Sequence, residues 1–539
     1  MGLVLMAVLA IGVGTVLLMI ATKKPGPLPP GPRGLPLIGN IFDFPPIGVH
    51  IWGHWLKHKD LYGPISSVTK WGTTVIILNS AELACELLGK RSSIYSTRMR
   101  SEFGGKMIGW ENNLVLQPYN KRYRAHRKSI HSMIGTETTT MSYLSLQAAE
   151  AHRFLFRVLQ EPDKLALHIR SETGALVLKT VYGYTVDHHK EDPLVKIVNT
   201  ATEWFSDALI PGAWLVDMIP ALRYVPEWLP GGGFKKTARY WRSLLVAAAE
   251  KPFWFTRQRM AEGKYGKSYV TDFGLDLSPE DEDIVKWTSF TLYTAGADTT
   301  ANAITSFFLA LTLYPEIQAK AREEIDRVVG SGRLPAYNDR DRLPYVTAVV
   351  TETLRWQPVL PVAFPHATTD DDVVNGYYIP KGSIVIPNVW WFTHDPAVYP
   401  NPLTFDPSRF LGDNPCPDPR DHVFGYGRRI CPGRYFAYAS LWLTIAQSLA
   451  VFDISEGSDK NGIGNIERPQ AEKPTLLVSS GLISHLVPFK ATIKPRSPQH
   501  EALIREVETL HPWEKSTEDR LDFEIYLCEF ACRIILRKP

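Results

Sequence analysis

Phe424-Gly425-Tyr426-Gly427-Arg428-Arg429-Ile430-Cys431-Pro432-Gly433 is the stretch on which the reading of this chain turns. One cysteine sits among glycines and arginines, where a loop runs into the start of a predicted helix. A thiolate offered to a metal needs backbone N–H donors nearby, and a helix N-terminus supplies them. Gly427 and Gly433 allow a sharp turn and close approach to a flat ligand. Arg429, two residues before the cysteine, has the reach to pair a carboxylate on that ligand. The plainer alternative is a buried free cysteine beside a glycine turn.

A second stretch lies upstream in the longest predicted helix, Ile284 to Leu313. Near its middle stands Ala295-Gly296-Ala297-Asp298-Thr299-Thr300. Glycine within a helix costs about 1 kcal/mol relative to alanine, and adjacent threonines are weak helix formers. The run is either a tolerated blemish or a place where the backbone yields to a ligand. Threonine hydroxyls that bond back to helix carbonyls bend such a helix. Ala295, Gly296 and Thr299 share a face by their three-to-four residue spacing. A third helix, Tyr345 to Trp356, puts Glu352 and Arg355 at i, i+3, by itself a common surface pair of small value.

The chain has 539 residues and a formal charge of +3. No long polar linker divides it, and a near-balanced charge gives no support to nucleic-acid binding. Its five cysteines are few and odd in number, which points to a reducing compartment. Leu3 to Ala21 carries no charge, is long enough to cross a bilayer, and precedes Lys23 and Lys24. It reads as a retained transmembrane anchor with the following chain in the cytosol, rather than a cleaved signal peptide. Pro25 to Asn40 is a stiff proline-rich segment. Thr73 to Leu78 is a predicted strand, Ala81 to Gly89 a short helix, Ser101 to Pro118 a loop, and Asp372 to Val389 a hairpin with an Asn375-Gly376 turn. Gly481, Leu482 and Ile483 are expected to form a turn.

Together these motifs resemble the cytochrome P-450 family. Phe424, Gly427, Arg429, Cys431 and Gly433 satisfy its cysteine-ligand pattern F-x-x-G-x-R-x-C-x-G. Residues 295–300 match its A-G-x-D-T-T, Glu352 and Arg355 its E-x-x-R, and Phe405 to Phe410 the later loop that supplies Arg409. The resemblance spans roughly Pro29 to Arg496 and implies a mainly α fold with a smaller β portion, behind an N-terminal transmembrane helix. It divides the chain into an anchor (1–22), a proline-rich hinge (23–45), a haem-thiolate catalytic domain (46–500) and a C-terminal extension of unassigned role (501–539).

The resemblance implies haem b as cofactor, with Cys431 as axial ligand of its iron. Ala295 and Gly296 would line an oxygen-binding groove where the helix opens. Thr299 would hydrogen-bond the oxygen held there, and Asp298 would feed protons inward, the acid–alcohol pair that heterolytic O–O cleavage requires. Glu352, Arg355 and Arg409 would form a structural triad. In the family's W-x-x-x-R, both residues contact haem propionates. This chain keeps the arginine as Arg127 but has Tyr123 for tryptophan, and a phenol is still a donor. His366 is a further propionate candidate. Met107, Ile108, Trp110 and Leu114 are candidates for the pocket wall or for ordinary core.

The run Met107 to Asn112 and the segment from Pro211 to Pro230 are similar to fungal microsomal members of secondary metabolism, typified by O-methylsterigmatocystin oxidoreductase. The function implied is oxidation of an apolar terpenoid, polyketide or indole with O2. Electrons would come from an NADPH-cytochrome reductase, with cytochrome b5 as a second donor, on the cytosolic face of the endoplasmic reticulum. Lys121, Arg122, Arg124, Lys128, Arg428 and Arg434 would form the docking patch. The alternatives are a haem-thiolate isomerase, a dehydratase or a peroxide-driven catalyst, and more distantly a non-catalytic haem binder. The apolar stretch from Trp204 to Phe234 is core or membrane-facing surface. Ser516 to Lys538 is predicted to be a helix, and Cys528 and Cys532 within it lack the partners of a metal site.

Overall fold

A computed structural model describes residues 26–514, apart from 47, 188–191, 211, 458–477 and 480, together with residue 517. The anchor of residues 3–21 and the helix predicted for 516–538, with Cys528 and Cys532, lie outside the described residues. No described helix is long and apolar enough to cross a membrane.

The helices of eight or more residues are α1 (Ile51–Tyr62), α2 (Lys121–Ile134), α3 (Leu144–Gln160), α4 (Leu165–Tyr182), α5 (Pro193–Ala208), α6 (Phe234–Ala261), α7 (Pro279–Leu313), α8 (Pro315–Val328), α9 (Pro344–Trp356), α10 (Arg434–Val451) and α11 (Pro498–Arg505). α7 is the axis of the molecule. Ser278 caps it by accepting the Asp281 N–H, Pro279 opens its first turn, and Glu280, Asp281 and Glu282 face the helix dipole there. Beyond that turn most of it is buried, as befits a core helix. Val285 to Ala297 belong to one apolar core and Ala301 to Leu313 to another. The boundary between the two cores falls on Asp298-Thr299-Thr300.

The main sheet has strand order β1-β2-β7-β4-β3, with β1 Ile65–Lys70, β2 Thr73–Leu78, β3 Thr97–Arg98, β4 His366–Ala367 and β7 Ile384–Pro387. Its β2–β7 pair is parallel and the others antiparallel. β5 (Asp372–Val374) and β6 (Tyr377–Ile379) form the expected hairpin. Asn375 and Gly376 both take positive φ (52° and 81°), the turn geometry that an Asn-Gly pair favours. β8 (Phe452–Glu456) and β9 (Ala491–Pro495) form a third, two-stranded sheet.

One stretch differs from the sequence reading, and two others make contacts that it did not describe. Residues 102–108 are helical, not loop: the Ser101 hydroxyl accepts from the N–H groups of Gly104 and Gly105, and Asp217 accepts from that of Phe103. These partners are tertiary or involve single side chains, so no periodicity announces them. The proline-rich segment is strapped to the body. Pro29 and Pro30 accept from Ser67, and Pro27 accepts from the Tyr378 N–H. A Cβ on Gly31 would fall 1.9 Å from the Ser67 carbonyl oxygen, so only glycine permits this contact. Residues 498–510 also pack on the body, burying Leu503, Ile504 and Val507, with His152 donating to the Leu503 carbonyl.

The Trp204–Phe234 stretch divides between the two options. Trp214 stacks on Phe103 at 3.6 Å between ring centroids and Val216 is buried, while Leu215, Tyr224 and Trp228 are exposed.

Candidate functional site

The cysteine loop leaves a short helical turn at Arg420–Val423 and re-enters helix at α10. Gly425 and Gly427 both have positive φ, and a Cβ on Gly427 would lie 2.5 Å from the Leu88 carbonyl oxygen. The Cys431 N–H donates to the Phe424 carbonyl (2.7 Å) and closes the loop on itself. Burial pushes the Cys431 thiol pKa up, opposed by the Gly433 N–H and the charges of Arg127 and Arg434. Protein atoms enclose the thiol, yet the residue keeps accessible surface, so it borders an interior space.

The second element is the middle of α7. Ala295 is exposed although it lies midway along a buried helix, the mark of a wall facing a void. The helix is unbroken through residues 295–300. The Thr299 hydroxyl donates to the Ala295 carbonyl (2.6 Å), the local bond that lets a threonine sit in a closed helix. Gly296 answers to a neighbouring helix: a Cβ there would stand 2.9 Å from a Val177 methyl of α4. Asp298 has both carboxylate oxygens 3.1 Å from Nε2 of His485.

The third element is a concentration of enclosed positive charge. β3 and β4 pair with Arg98 directly opposite His366. Arg98 donates to the carbonyls of Val115, Phe364 and Pro365. Arg429 donates to those of Ser96 and Gln117, both at 2.6 Å, and lies 3.9 Å over the Tyr123 ring. Burial, together with Arg429, pulls Arg98 down to about 9; burial pulls Arg429 down to about 10. Among the described residues neither guanidinium has a carboxylate partner. An enclosed, unpaired charge of this kind costs several kcal/mol, so the pocket fits a group bearing two carboxylates.

Tyr123 donates to the Arg428 carbonyl (2.9 Å) and Arg127 to that of Ile430 (2.6 Å), so both also clamp the cysteine loop. His366 donates from Nδ1 to the Tyr95 carbonyl (2.7 Å). Burial and the two arginines hold its pKa well below the ordinary value, so the neutral ring has no second donor, and a propionate contact through Nε2 would require protonation. Arg98 was not legible in the sequence, because a two-residue strand carries no motif.

Glu352, Arg355 and Arg409 meet. Arg355 donates to both Glu352 oxygens (2.6 and 2.8 Å), Arg409 adds a bond at 3.2 Å, and the Asp406 N–H adds one at 2.8 Å. Glu352 and Arg355 have no exposed surface. Arg355 also donates to the carbonyls of Thr393 and Thr404, tying α9 to the segment that leads to the cysteine loop.

A cavity of about 420 Å3 adjoins the pocket, with Arg98 on its wall. Phe44, Leu116, Leu209, Val362, Phe364 and Leu482 make its lining mostly apolar, with Glu203, Asp207 and His485 as polar exceptions. Gly481, Leu482 and Ile483 also line it. Met107, Ile108, Trp110 and Leu114 are instead part of or packed on a core cluster, Trp110 lying between Phe205 and Phe290.

Comparison with known proteins gives the family. The family model described as cytochrome P-450 matches residues 29–475. The chain is 46% identical over 484 residues to cytochrome P-450 monooxygenase claR of Ampulloclitocybe clavipes, covering 89% of this chain and 88% of that one. It is 41% identical over 504 residues to cytochrome P-450 monooxygenase ppsD of Aspergillus oryzae, covering 92% and 94%. To O-methylsterigmatocystin oxidoreductase of Aspergillus flavus it is 38% identical over 497 residues, covering 91% and 92%.

Proposed function

Since the chain belongs to the cytochrome P-450 family and is a haem-thiolate monooxygenase, we propose that it oxidises an apolar small molecule of secondary metabolism, a terpenoid first among the candidate classes. The observation that carries this reading is the apolar 420 Å3 cavity that reaches Arg98 and so adjoins the haem-binding pocket. When bound by the Cys431 thiolate, haem supplies the reduction of O2 and cleavage of its O–O bond, as is general for this family. Arg98, Arg127, Arg429 and Tyr123 would hold its propionates. The apolar lining would exclude water and orient the substrate, while Asp298 and Thr299 would move protons toward the reacting face.

For Thr299 to act this way its hydroxyl must leave the Ala295 carbonyl and turn into the cavity. Thr299→Ala is therefore expected to keep haem but send most of the electrons from NADPH to peroxide, since loss of a general acid–base group slows the step it serves by about 10²–10⁴-fold. This readout needs no knowledge of the substrate, and an unchanged peroxide share would remove Thr299 from the proton path. Metabolite comparison of cells with and without the chain would identify the substrate. Conversion of that substrate without reductase or NADPH would favour an isomerase or dehydratase instead.

The electron donor would be a membrane-bound NADPH-dependent reductase, with the exposed Leu215, Tyr224 and Trp228 facing the same endoplasmic-reticulum membrane as the anchor. Lys121, Arg124, Lys128 and Arg428 are exposed beside the cysteine loop, whereas Arg122 is paired with Asp283. Reversing Lys121 and Lys128 to glutamate should slow NADPH-driven haem reduction by the reductase, more so at low salt, and leave dithionite reduction unchanged. Equal loss of both would mean that the lysines hold the fold rather than the partner.

A further inference from the structure

We propose that His485 relays protons from a solvent-facing cleft to Asp298, which makes the C-terminal hairpin part of the proton path. The inference rests on the monooxygenase reading above. The pair is a graded one: the Asp298 side chain is 13% exposed and that of His485 32%, so the imidazole is the outer member. Both line a cleft of about 580 Å3 formed with Arg170, Asn302, Thr305 and Phe489. Of the two, only His485 also borders the apolar cavity, so it stands at the partition between cleft and cavity.

Its position is set by α7 itself. Asn302, one turn beyond Asp298 on the same face, donates to the Ser484 carbonyl. The Ser484 N–H donates to the Val359 carbonyl (2.9 Å), and the Ser479 hydroxyl accepts from the His485 N–H (3.2 Å).

The charges facing His485 come from three helices. Burial lowers its pKa, but the hydrogen bond and charge of Asp298 on α7 outweigh this and hold it above the ordinary value. Arg170 of α4 opposes and Glu203 of α5 adds to that effect. Those two also pair with each other at 3.9 Å. The protonated ring is thus kept to a higher pH than an ordinary imidazole would be. In the step proposed, its Nε2–H bond breaks, the electron pair stays on nitrogen, and the proton goes to an Asp298 oxygen. The neutral ring then takes a proton from water in the cleft. His485 acts through Asp298 and is a positioning and relay residue.

His485→Asn tests this, since the amide keeps an N–H donor but cannot be protonated. With NADPH and a reductase, the variant should show the wild-type carbon-monoxide spectrum, a peroxide share raised about tenfold and a larger solvent deuterium effect. Wild-type activity should fall as pH rises through the raised His485 value, and the variant should lack that alkaline limb. By imidazole NMR of the diamagnetic ferrous carbon-monoxide form, Asp298→Asn should lower the His485 titration midpoint. A wild-type peroxide share and pH profile in His485→Asn, an unmoved midpoint, or loss of haem from the variant would each overturn the proposal. Absence of the thiolate spectrum in the wild type would instead overturn the reading beneath it.

Discussion

Cys431→Ala is expected to abolish the red-shifted Soret band that a reduced haem-thiolate protein shows with carbon monoxide, and with it all NADPH-driven oxygen consumption. The loop itself should survive. It is closed by a backbone bond from Cys431 to Phe424 and clamped by Tyr123 and Arg127 onto the carbonyls of residues 428 and 430, none of which uses the thiol. The enclosed arginines should therefore still draw haem into the variant, now without its axial sulfur. Cys431→His should bind haem through nitrogen and shift the band to the position of imidazole ligation. Absorption, circular dichroism and haem content measured on one sample separate these outcomes. A thiolate-type band persisting in Cys431→Ala would show that the iron is held elsewhere.

Arg355→Met should be the most damaging substitution outside the haem pocket. It leaves the Glu352 carboxylate buried with Arg409 and the Asp406 N–H as its remaining partners, takes the Arg355 donor from the Thr393 carbonyl, and leaves the Thr404 carbonyl to Arg409 alone. Removing one member of a buried pair costs about 3–5 kcal/mol, a large part of the roughly 5–15 kcal/mol that holds a domain folded. Urea unfolding followed by Trp fluorescence should show a much lower midpoint, or no folded, haem-loaded protein at all. Arg355→Lys keeps the charge but not the fork that spans both Glu352 oxygens, so it should fall between the two. The wild-type midpoint in Arg355→Met would mean that the triad is not what joins α9 to the chain before the cysteine loop.

The sequence by itself determined the features whose chemistry is carried by a few residues at fixed short spacing. The cysteine loop was legible because its glycines answer to backbone conformation and close approach, and those demands act within ten residues. The Ala295–Thr300 run stood out because its residues are poor choices for a helix interior, and the Asn375-Gly376 turn because its φ values admit few residues. Glu352, Arg355 and Arg409 were legible as a triad through the family resemblance, but only the fold shows that Glu352 and Arg355 are wholly buried.

The tertiary structure alone decided which distant side chains complete the site. Arg98 is brought beside Arg429 by sheet register, opposite a residue more than two hundred positions later, and His485 reaches Asp298 from a late part of the chain. The helix at 102–108 depends on a serine cap and on Asp217, not on an apolar period, and Gly296 answers to Val177 on another helix. Local preferences are written in adjacent residues, whereas contacts across the chain depend on the packing of whole elements. For that reason the cysteine, Arg127 and Arg429 could be named from the sequence, and Arg98 and His485 could not.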